Sequence, residues 1–224
     1  MNFIRRNWYN IGLALAFLIL LTQVFIKVDG LQLILLLNLV VLLLHQFEEY
    51  GFPGGEPWIL NEAAQPKGGP ADRYPLNQNN AAFINMAGWV FYAAAIFFPT
   101  IIWIGLAPVL FGFGQLIMHG IINNRQLKTL YNPGLAAVIL GHTPLGIWFL
   151  FEVYKLNLIH WWDWVLAVIY TLFFMGFIMM FLGYNILSKK DSKYPFTRAE
   201  MDKFGRVQRL THAGITPLPL PDKE

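Results

Sequence analysis

The sequence predicts an all-α membrane protein in which about six transmembrane helices pack as a bundle. Three observations lead to this prediction: 56% of the residues are hydrophobic, only 13% are charged, and the mean hydropathy is +0.48. Average soluble domains carry about 25% charged residues. The composition therefore excludes an ordinary soluble domain, and the long apolar runs between polar links predict the helices.

Each predicted span is an apolar run bounded by charges or turn residues. The spans lie at about 11–28, 31–50, 81–103, 105–123, 133–151 and 164–187, within a transmembrane domain of residues 1–187. Arg5 and Arg6 precede the first run, and a basic start of this kind is also typical of a signal peptide. No small-residue cleavage site follows, so the run is kept as a span. The turn Asp29-Gly30 separates it from the second span.

The later spans have recognisable starts. Asn80 stands where it can cap the third span. Asn132 followed by Pro133 predicts an N-cap with proline at the first helical position of the fifth span. A cluster of tryptophans at 161–164 opens the sixth span and fits an aromatic belt at the membrane interface.

Two segments outside the spans are polar. Residues 51–79 contain five prolines and two glycine pairs, which predicts a long loop, and because it leaves the second span directly it is a candidate lid. Residues 188–224 form a polar tail. Within the tail, Thr197 and Glu200 have the spacing of a capping box, which predicts a short helix.

The basic residues predict the orientation. With the N-terminus in the cytoplasm, the outer loops hold only Lys27 and Lys155 of the sixteen lysines and arginines. The positive-inside rule therefore places both termini and the 51–79 loop in the cytoplasm, in an inner or plasma membrane. This bias explains the pI of about 9.1 without a nucleic-acid partner, and the tail can meet anionic lipid headgroups.

The second span ends in a cluster of ionisable residues. His45, Glu48 and Glu49 follow a run, 31–44, that contains no other ionisable residue. On a helix these three positions share one face, which Asn38 extends one heptad deeper. Ionisable groups are costly inside a bilayer, so this face predicts a metal-binding or proton-handling site.

The string His-x-x-Glu-Glu at 45–49 resembles the signature of the HxxEE-domain family of small integral membrane proteins. The strings Met118-His119-Gly120 and Tyr131-Asn132-Pro133-Gly134 are similar to further landmarks of that family, so the resemblance covers about 31–185. It implies a membrane-helix fold and a site built from these strings. It implies no reaction.

The predicted orientation brings polar residues of different spans to one depth. With a rise of about 1.5 Å per residue, the His-x-x-Glu-Glu face lies in the cytoplasmic third of the second span. His119 lies in the same layer of the fourth span, and His142 lies deeper in the fifth. The supporting polar residues expected around the site are Asn38, Asn80, Asn85, Gln115, Asn123 and Asn132.

This set of side chains predicts a divalent metal site. Imidazole and carboxylate groups suit zinc, iron or manganese, and the lack of cysteine excludes thiolate zinc sites and iron–sulfur clusters. His45 and His119 with Glu48 or Glu49 give a set of two histidines and one carboxylate. The other glutamate could then act as catalytic base, with His142 as a third imidazole ligand. Haem is less favoured, because carboxylates beside its iron are unusual.

Three functions fit these residues. The first is a membrane-embedded metal-dependent enzyme, a hydrolase or an oxidoreductase, acting on a lipid or other apolar substrate from the cytoplasmic leaflet. The second is a proton-coupled transporter in which the same residues titrate, although the sequence shows no inverted repeat. The third is a non-catalytic subunit or assembly factor, in which the polar set fixes helix packing and the tail binds a protein partner or a second copy.

Overall fold

The computed structural model describes residues 2–221, and all of the secondary structure in this range is helical. Residue 1 and the last three tail residues, 222–224, lie outside this range. The helices in chain order are α1 Asn2–Thr22, α2 Gly30–Tyr50, α3 Glu56–Trp58, α4 Gln78–Phe97, α5 Ile102–Leu127, α6 Leu135–Lys155, α7 Trp161–Ile186, α8 Arg198–Met201 and α9 Arg206–Ala213. The all-α prediction is confirmed.

Five of the described helices, α2, α4, α5, α6 and α7, are long and apolar enough to cross a membrane. They correspond to the second to sixth predicted spans. The first predicted span, 11–28, falls on α1, which is not among the five. Arg5, Arg6 and Asn7 make its beginning polar, and the helix ends at Thr22. The membrane character is therefore supported by five spans, and the predicted number of six is not confirmed.

The central helix of the bundle is α2, which packs against α1, α4 and α6. Small residues let the other helices approach closely, as in many membrane bundles. At Gly105 on α5, a side-chain Cβ would lie 3.0 Å from Phe149 Cζ and 3.2 Å from Leu35 Cδ2. The core is completed by aromatic contacts, including the stacked rings of Phe91 and Phe174 at 4.4 Å.

Three of the membrane-crossing helices contain π-helical segments. These are Met118–Asn123 in α5, Val138–His142 in α6 and Phe174–Ile186 in α7. An extra residue per turn rotates the side chains that follow it, and such segments are frequent at functional sites. His119 and His142 both lie in them.

Two of the predicted helix caps are wrong. The N-cap of α4 is Asn77, and Asn80 instead completes the capping box by accepting a hydrogen bond from the Asn77 backbone N–H at 2.7 Å. Helix α6 begins at Leu135 after Gly134, so Asn132 is not its cap. In both cases the side chain has a non-local partner that the sequence pattern does not reveal.

The segment predicted as a loop at 51–79 contains helical structure and is largely buried. Helix α3 continues into a π-helical turn, Ile59–Ala64, and Trp58 is fully buried. The indole N–H of Trp58 donates to the backbone carbonyl of Lys203 at 3.0 Å. The segment is therefore packed into the protein body and fastened to the tail.

The described part of the tail also packs on the protein body. Thr197 and Glu200 form the predicted capping box at the start of α8, and Met201 and Leu210 are fully buried. Arg206 on α9 makes a buried ion pair with Glu62. Most of the tail is thus part of the folded domain.

The beginning of α1, the end of α2 and the tail meet at one end of the bundle. The Arg5 guanidinium lies 3.9 Å from the ring centre of Tyr194. The Lys203 ammonium donates to the Tyr50 carbonyl at 2.6 Å. This is the end at which the positive-inside bias predicts the cytoplasm.

Candidate metal centre

Three buried side chains from α2 and α5 meet near the end of the bundle where α2 ends and the tail packs. The Nε2 atoms of His45 and His119 each lie 3.3 Å from the same oxygen, Oε1 of Glu49. The three potential ligand atoms all lie within 4.8 Å of one another. His45 and Glu49 share a face because they are four residues apart on α2, and the π-helical segment of α5 supplies His119.

The second ring nitrogen of His45 is held by the backbone of the loop before α6. His45 Nδ1 lies 3.0 Å from the Gly134 carbonyl oxygen. A carbonyl oxygen only accepts, so Nδ1 carries a proton and donates it. In the neutral imidazole, Nε2 then has a lone pair, and that lone pair faces Glu49.

His119 is held in the same way by a side-chain amide. Its Nδ1 lies 2.7 Å from Asn132 Oδ1. The amide nitrogen of Asn132 donates to the His119 carbonyl oxygen at 2.7 Å and to Asn124 Oδ1 at 2.8 Å. Both donors of this amide meet acceptors, which orients its oxygen towards His119. His119 Nδ1 is therefore also protonated, and its Nε2 is free to accept.

When both rings are neutral, the result is a group of three acceptors that point at one another. Two imidazole lone pairs and one carboxylate oxygen lie within contact distance, and a proton or a cation between them removes their mutual repulsion. In metal sites the ring nitrogen that does not bind the metal regularly donates to a carbonyl or carboxylate oxygen, which fixes the histidine tautomer. The side chains His45, Glu49 and His119 therefore fit a divalent metal as a two-histidine, one-carboxylate set.

Gly134 allows the loop backbone to approach both histidines. Its φ is +97°, which favours glycine. A Cβ at this position would lie 2.7 Å from His119 Cε1 and 2.8 Å from His45 Cε1. Any larger residue would push the two rings apart or move the loop.

Glu48 lies outside the three-residue group. Its carboxylate accepts hydrogen bonds from the Tyr131 hydroxyl at 2.8 Å and from the backbone N–H groups of Ala136 at 3.1 Å and Ala137 at 2.9 Å. It therefore caps the beginning of α6 and stabilises the adjoining loop. Of the two glutamates that the sequence offers as ligand or base, the structure brings only Glu49 to the histidines.

His142 lies next to the group without joining it. Its ring centre is 5.7 Å from that of His45, and its Nδ1 is 2.8 Å from Asn38 Oδ1. Its Nε2 is buried and has no hydrogen-bond partner among the described residues. His142 and Asn38, which the sequence predicts as parts of the site, are thus hydrogen-bonded to each other. His142 is still close enough to His45 to influence the group electrostatically.

The remaining supporting polar residues have separate positions. Asn85, Gln115 and Asn123 line a cavity beside the group, and Asn123 Oδ1 is buried without a partner among the described residues. Asn132 is the partner of His119. Asn80 lies elsewhere, since its amide donates to the Pro75 and Gly183 carbonyl oxygens.

The cavity has a volume of about 340 Å³ and borders all three members of the group. Side chains of α2, α4, α5 and α7 form its walls, together with the 56–65 segment. Ile117 on α5 and Met175 and Met180 on α7 line the cavity and are also exposed on the outer surface. The cavity therefore opens between α5 and α7, towards the apolar outer surface of the bundle.

A family model described as "Protein of unknown function with HXXEE motif" matches residues 36–149. The chain belongs to the HXXEE family. The match includes the motif itself, His119 and the loop around Gly134, so it covers the whole three-residue group. In this HXXEE protein the motif has two roles: His45 and Glu49 face His119, and Glu48 holds the loop. No match was found among curated proteins or solved structures.

Glu56 is a member of the site that the sequence does not single out. It lies in the segment predicted as a polar loop, yet it is 8% exposed and lines the cavity. Burial, together with the nearby charge of Glu49, raises the pKa of Glu56 to about 8, and His119 opposes the shift. The only sequence signal was a carboxylate soon after the motif, behind the turn Gly54-Gly55.

Proposed function

We propose that this HXXEE protein is a membrane-embedded metal-dependent enzyme that acts on a lipid or other apolar substrate. The single observation that carries the proposal is the convergence of His45 Nε2, His119 Nε2 and Glu49 Oε1 at the end of an apolar cavity. When both imidazoles are neutral, the hydrogen bonds at Nδ1 leave the two Nε2 lone pairs and the carboxylate oxygen available to a cation. Such a set is suited to zinc, iron or manganese.

The chain's own residues would organise the chemistry. A divalent cation, when bound, supplies Lewis acidity and activates water. Gly134 and Asn132 hold the two imidazoles in a fixed orientation, and Glu49 supplies the negative charge between them. The burial of all three side chains excludes bulk water, which strengthens electrostatic interactions with a substrate.

The shape and lining of the cavity support an apolar substrate. Its walls are mainly aliphatic, aromatic and methionine side chains, and methionine adapts to irregular apolar ligands. The opening beside Ile117, Met175 and Met180 would let a lipid chain enter from the bilayer without crossing water. A reactive group carried by that chain would then lie against His45, Glu49 and His119.

Hydrolysis is the reaction that we favour over oxidation or reduction. A second buried carboxyl group, Glu56, lines the cavity, and hydrolysis requires a group that donates and recovers protons. An oxidoreductase of the two-histidine, one-carboxylate type would use iron. The identity of the bound metal therefore separates the two reactions.

A proton-coupled transporter is the second candidate. It is favoured by the fact that one proton, shared among His45, His119 and Glu49, would relieve the repulsion of the three acceptors as a cation does. A subunit in which the polar set serves only for packing receives less support, because packing alone does not require a cavity beside the group.

The test is elemental analysis of the detergent-purified protein and of two variants. We expect about one equivalent of zinc, iron or manganese in the wild type, loss of that metal in His45→Ala, and its retention in His212→Ala, which changes an exposed tail histidine. Turnover of long-chain esters in detergent micelles would then identify the reaction. A folded wild type without stoichiometric metal, before and after incubation with each ion, would overturn the enzyme proposal in favour of the transporter.

A further inference from the structure

Glu56 is a buried carboxyl group whose position the proposed metal site does not by itself explain. It begins α3 and is 8% exposed, and its Oε2 atom has no hydrogen-bond partner among the described residues. Buried polar atoms in folded proteins nearly always have a hydrogen-bond partner. A buried atom without one therefore needs an explanation, such as a catalytic role or a bound ligand. Glu56 lines the same cavity as His45, Glu49 and His119.

The other carboxylates near the site already have partners. Glu49 uses Oε1 to face both histidines, and Glu48 accepts three hydrogen bonds from the loop and from α6. Of these three glutamates, only Glu56 has a buried carboxyl oxygen without a hydrogen-bond partner among the described residues, and it lies beside the space where a substrate would bind.

The surroundings of Glu56 favour its protonated form. Glu49 and Tyr50 on α2, His119 on α5 and Tyr184 on α7 line the same cavity and interact with Glu56 electrostatically. The ammonium group of Lys203 in the tail donates to the Tyr50 carbonyl. Burial and the Glu49 charge raise the pKa of Glu56 to about 8.

The segment that carries Glu56 is held rigidly. The Trp58 indole is bonded to the Lys203 backbone, and the Glu62 carboxylate is bonded to Arg206 and to the Leu218 backbone N–H. These contacts fix the segment from both sides. A proton-transferring group needs such fixed placement, since its effect depends on distance to the reacting atom.

We propose that Glu56 is the catalytic residue that donates a proton to the leaving group of the substrate and recovers it from water. This inference rests on the proposed hydrolase function. For an ester, water adds to the carbonyl carbon and the bond from that carbon to the leaving oxygen breaks. The Glu56 O–H proton goes to the leaving oxygen, and one proton of the water returns to the Glu56 carboxylate. The products are one acid and one alcohol, and Glu56 ends as it began.

The first test compares Glu56→Gln with the wild type, because glutamine keeps the size of the side chain and cannot donate the carboxyl proton. We expect the variant to keep its metal and its KM and to lose kcat by about 100-fold or more. Glu56→Asp should recover part of kcat. Glu152→Gln is the matched control, since Glu152 lies at the end of α6 far from the site. The activity of this variant should stay at the wild-type level. Loss of metal in Glu56→Gln would make Glu56 a ligand, and an unchanged kcat would exclude it from catalysis.

The second test does not depend on activity. Infrared spectra of metal-free protein on either side of pH 8 should contain a protonated-carboxyl band that disappears at higher pH and is missing from Glu56→Gln. A wild type with neither metal nor turnover would contradict the proposed function, whereas this band would still report a proton-exchanging Glu56. The same band in Glu56→Gln, or no pH-dependent band in the wild type, would overturn the assignment of Glu56.

Discussion

The carbonyl oxygen of Gly134 accepts a hydrogen bond from His45 Nδ1 at 3.0 Å, and the α-carbon of the same glycine leaves no room for a side chain against that ring. One residue thus fixes the tautomer of a candidate ligand and permits the close approach that makes this possible. The residues of the Tyr-Asn-Pro-Gly string at 131–134 contact the His-x-x-Glu-Glu motif and His119. Tyr131 holds Glu48, Asn132 orients His119, and Gly134 orients His45.

Gly134→Ala should weaken metal binding by about 10- to 100-fold, which is typical when the hydrogen-bond partner of a ligand histidine is disturbed. The new Cβ would collide with both imidazole rings, and the positive φ adds backbone strain. Metal affinity measured by competition with a chelating dye would check this. Gly176→Ala is the control, because a Cβ there meets nothing within 4 Å. Equal affinities for the two variants would contradict the role of Gly134.

Asn132→Ala should have a similar effect on affinity through His119. The substitution removes the acceptor of the His119 Nδ1 proton, so the ring can rotate or change tautomer. Asn132→Asp keeps an acceptor at that place and should retain most of the affinity. If aspartate weakened metal binding as much as alanine, Asn132 would stabilise the loop through its amide N–H groups, and its oxygen would not be what orients the His119 ring.

Arg206→Leu should destabilise the protein by about 3–5 kcal/mol, the usual cost of leaving a buried charge without its partner. Arg206 and Glu62 are both buried, and the pair joins α9 to the segment that carries Glu56. Unfolding in detergent with increasing denaturant measures the change. Arg198→Leu is the control, since its ion pair with Asp202 is exposed and should contribute about 1 kcal/mol or less. A similar loss in both variants would contradict the importance of burial.

The stability of the metal-free protein should fall as the pH rises from about 4.5 to about 8, and part of this fall should be absent in Glu56→Gln. The pKa of Glu56 is raised from 4.5 to about 8 on folding. The folded state therefore binds the proton more tightly, and its stabilising effect is complete below pH 4.5 and lost as the pH passes 8. One proton changes stability by at most about 1.4 kcal/mol per pH unit. Melting temperatures across this range would give the difference, and superimposable profiles would exclude the shift.

The predicted orientation can be tested with single cysteines, because the chain has none. Pro66→Cys lies in an exposed part of the 51–79 segment. In intact cells it should react with a membrane-permeant thiol reagent and resist an impermeant one. Lys155→Cys, at the opposite end of the bundle, should react with both. The reverse labelling pattern would show that the predicted orientation is wrong.

The local pattern of the sequence was sufficient for the five long apolar helices and for one half of the site. Apolar runs long enough to cross a bilayer predict α2, α4, α5, α6 and α7, since backbone groups in lipid must bond within the helix. The four-residue spacing of His45 and Glu49 places them on one face in any helix. The capping box at Thr197 and Glu200 was equally local, and the structure contains it.

The tertiary structure decided which residues meet. The sequence by itself predicted that two glutamates and two histidines share a depth, but the rotation and packing of the helices decided that Glu49 faces the histidines while Glu48 caps α6. The π-helical segments, the burial of Glu56 and the partners of Asn80 and Asn132 depend in the same way on contacts between distant parts of the chain. Hydrophobic periodicity fixes the face that a helix buries, whereas the neighbour opposite that face is set by the whole bundle.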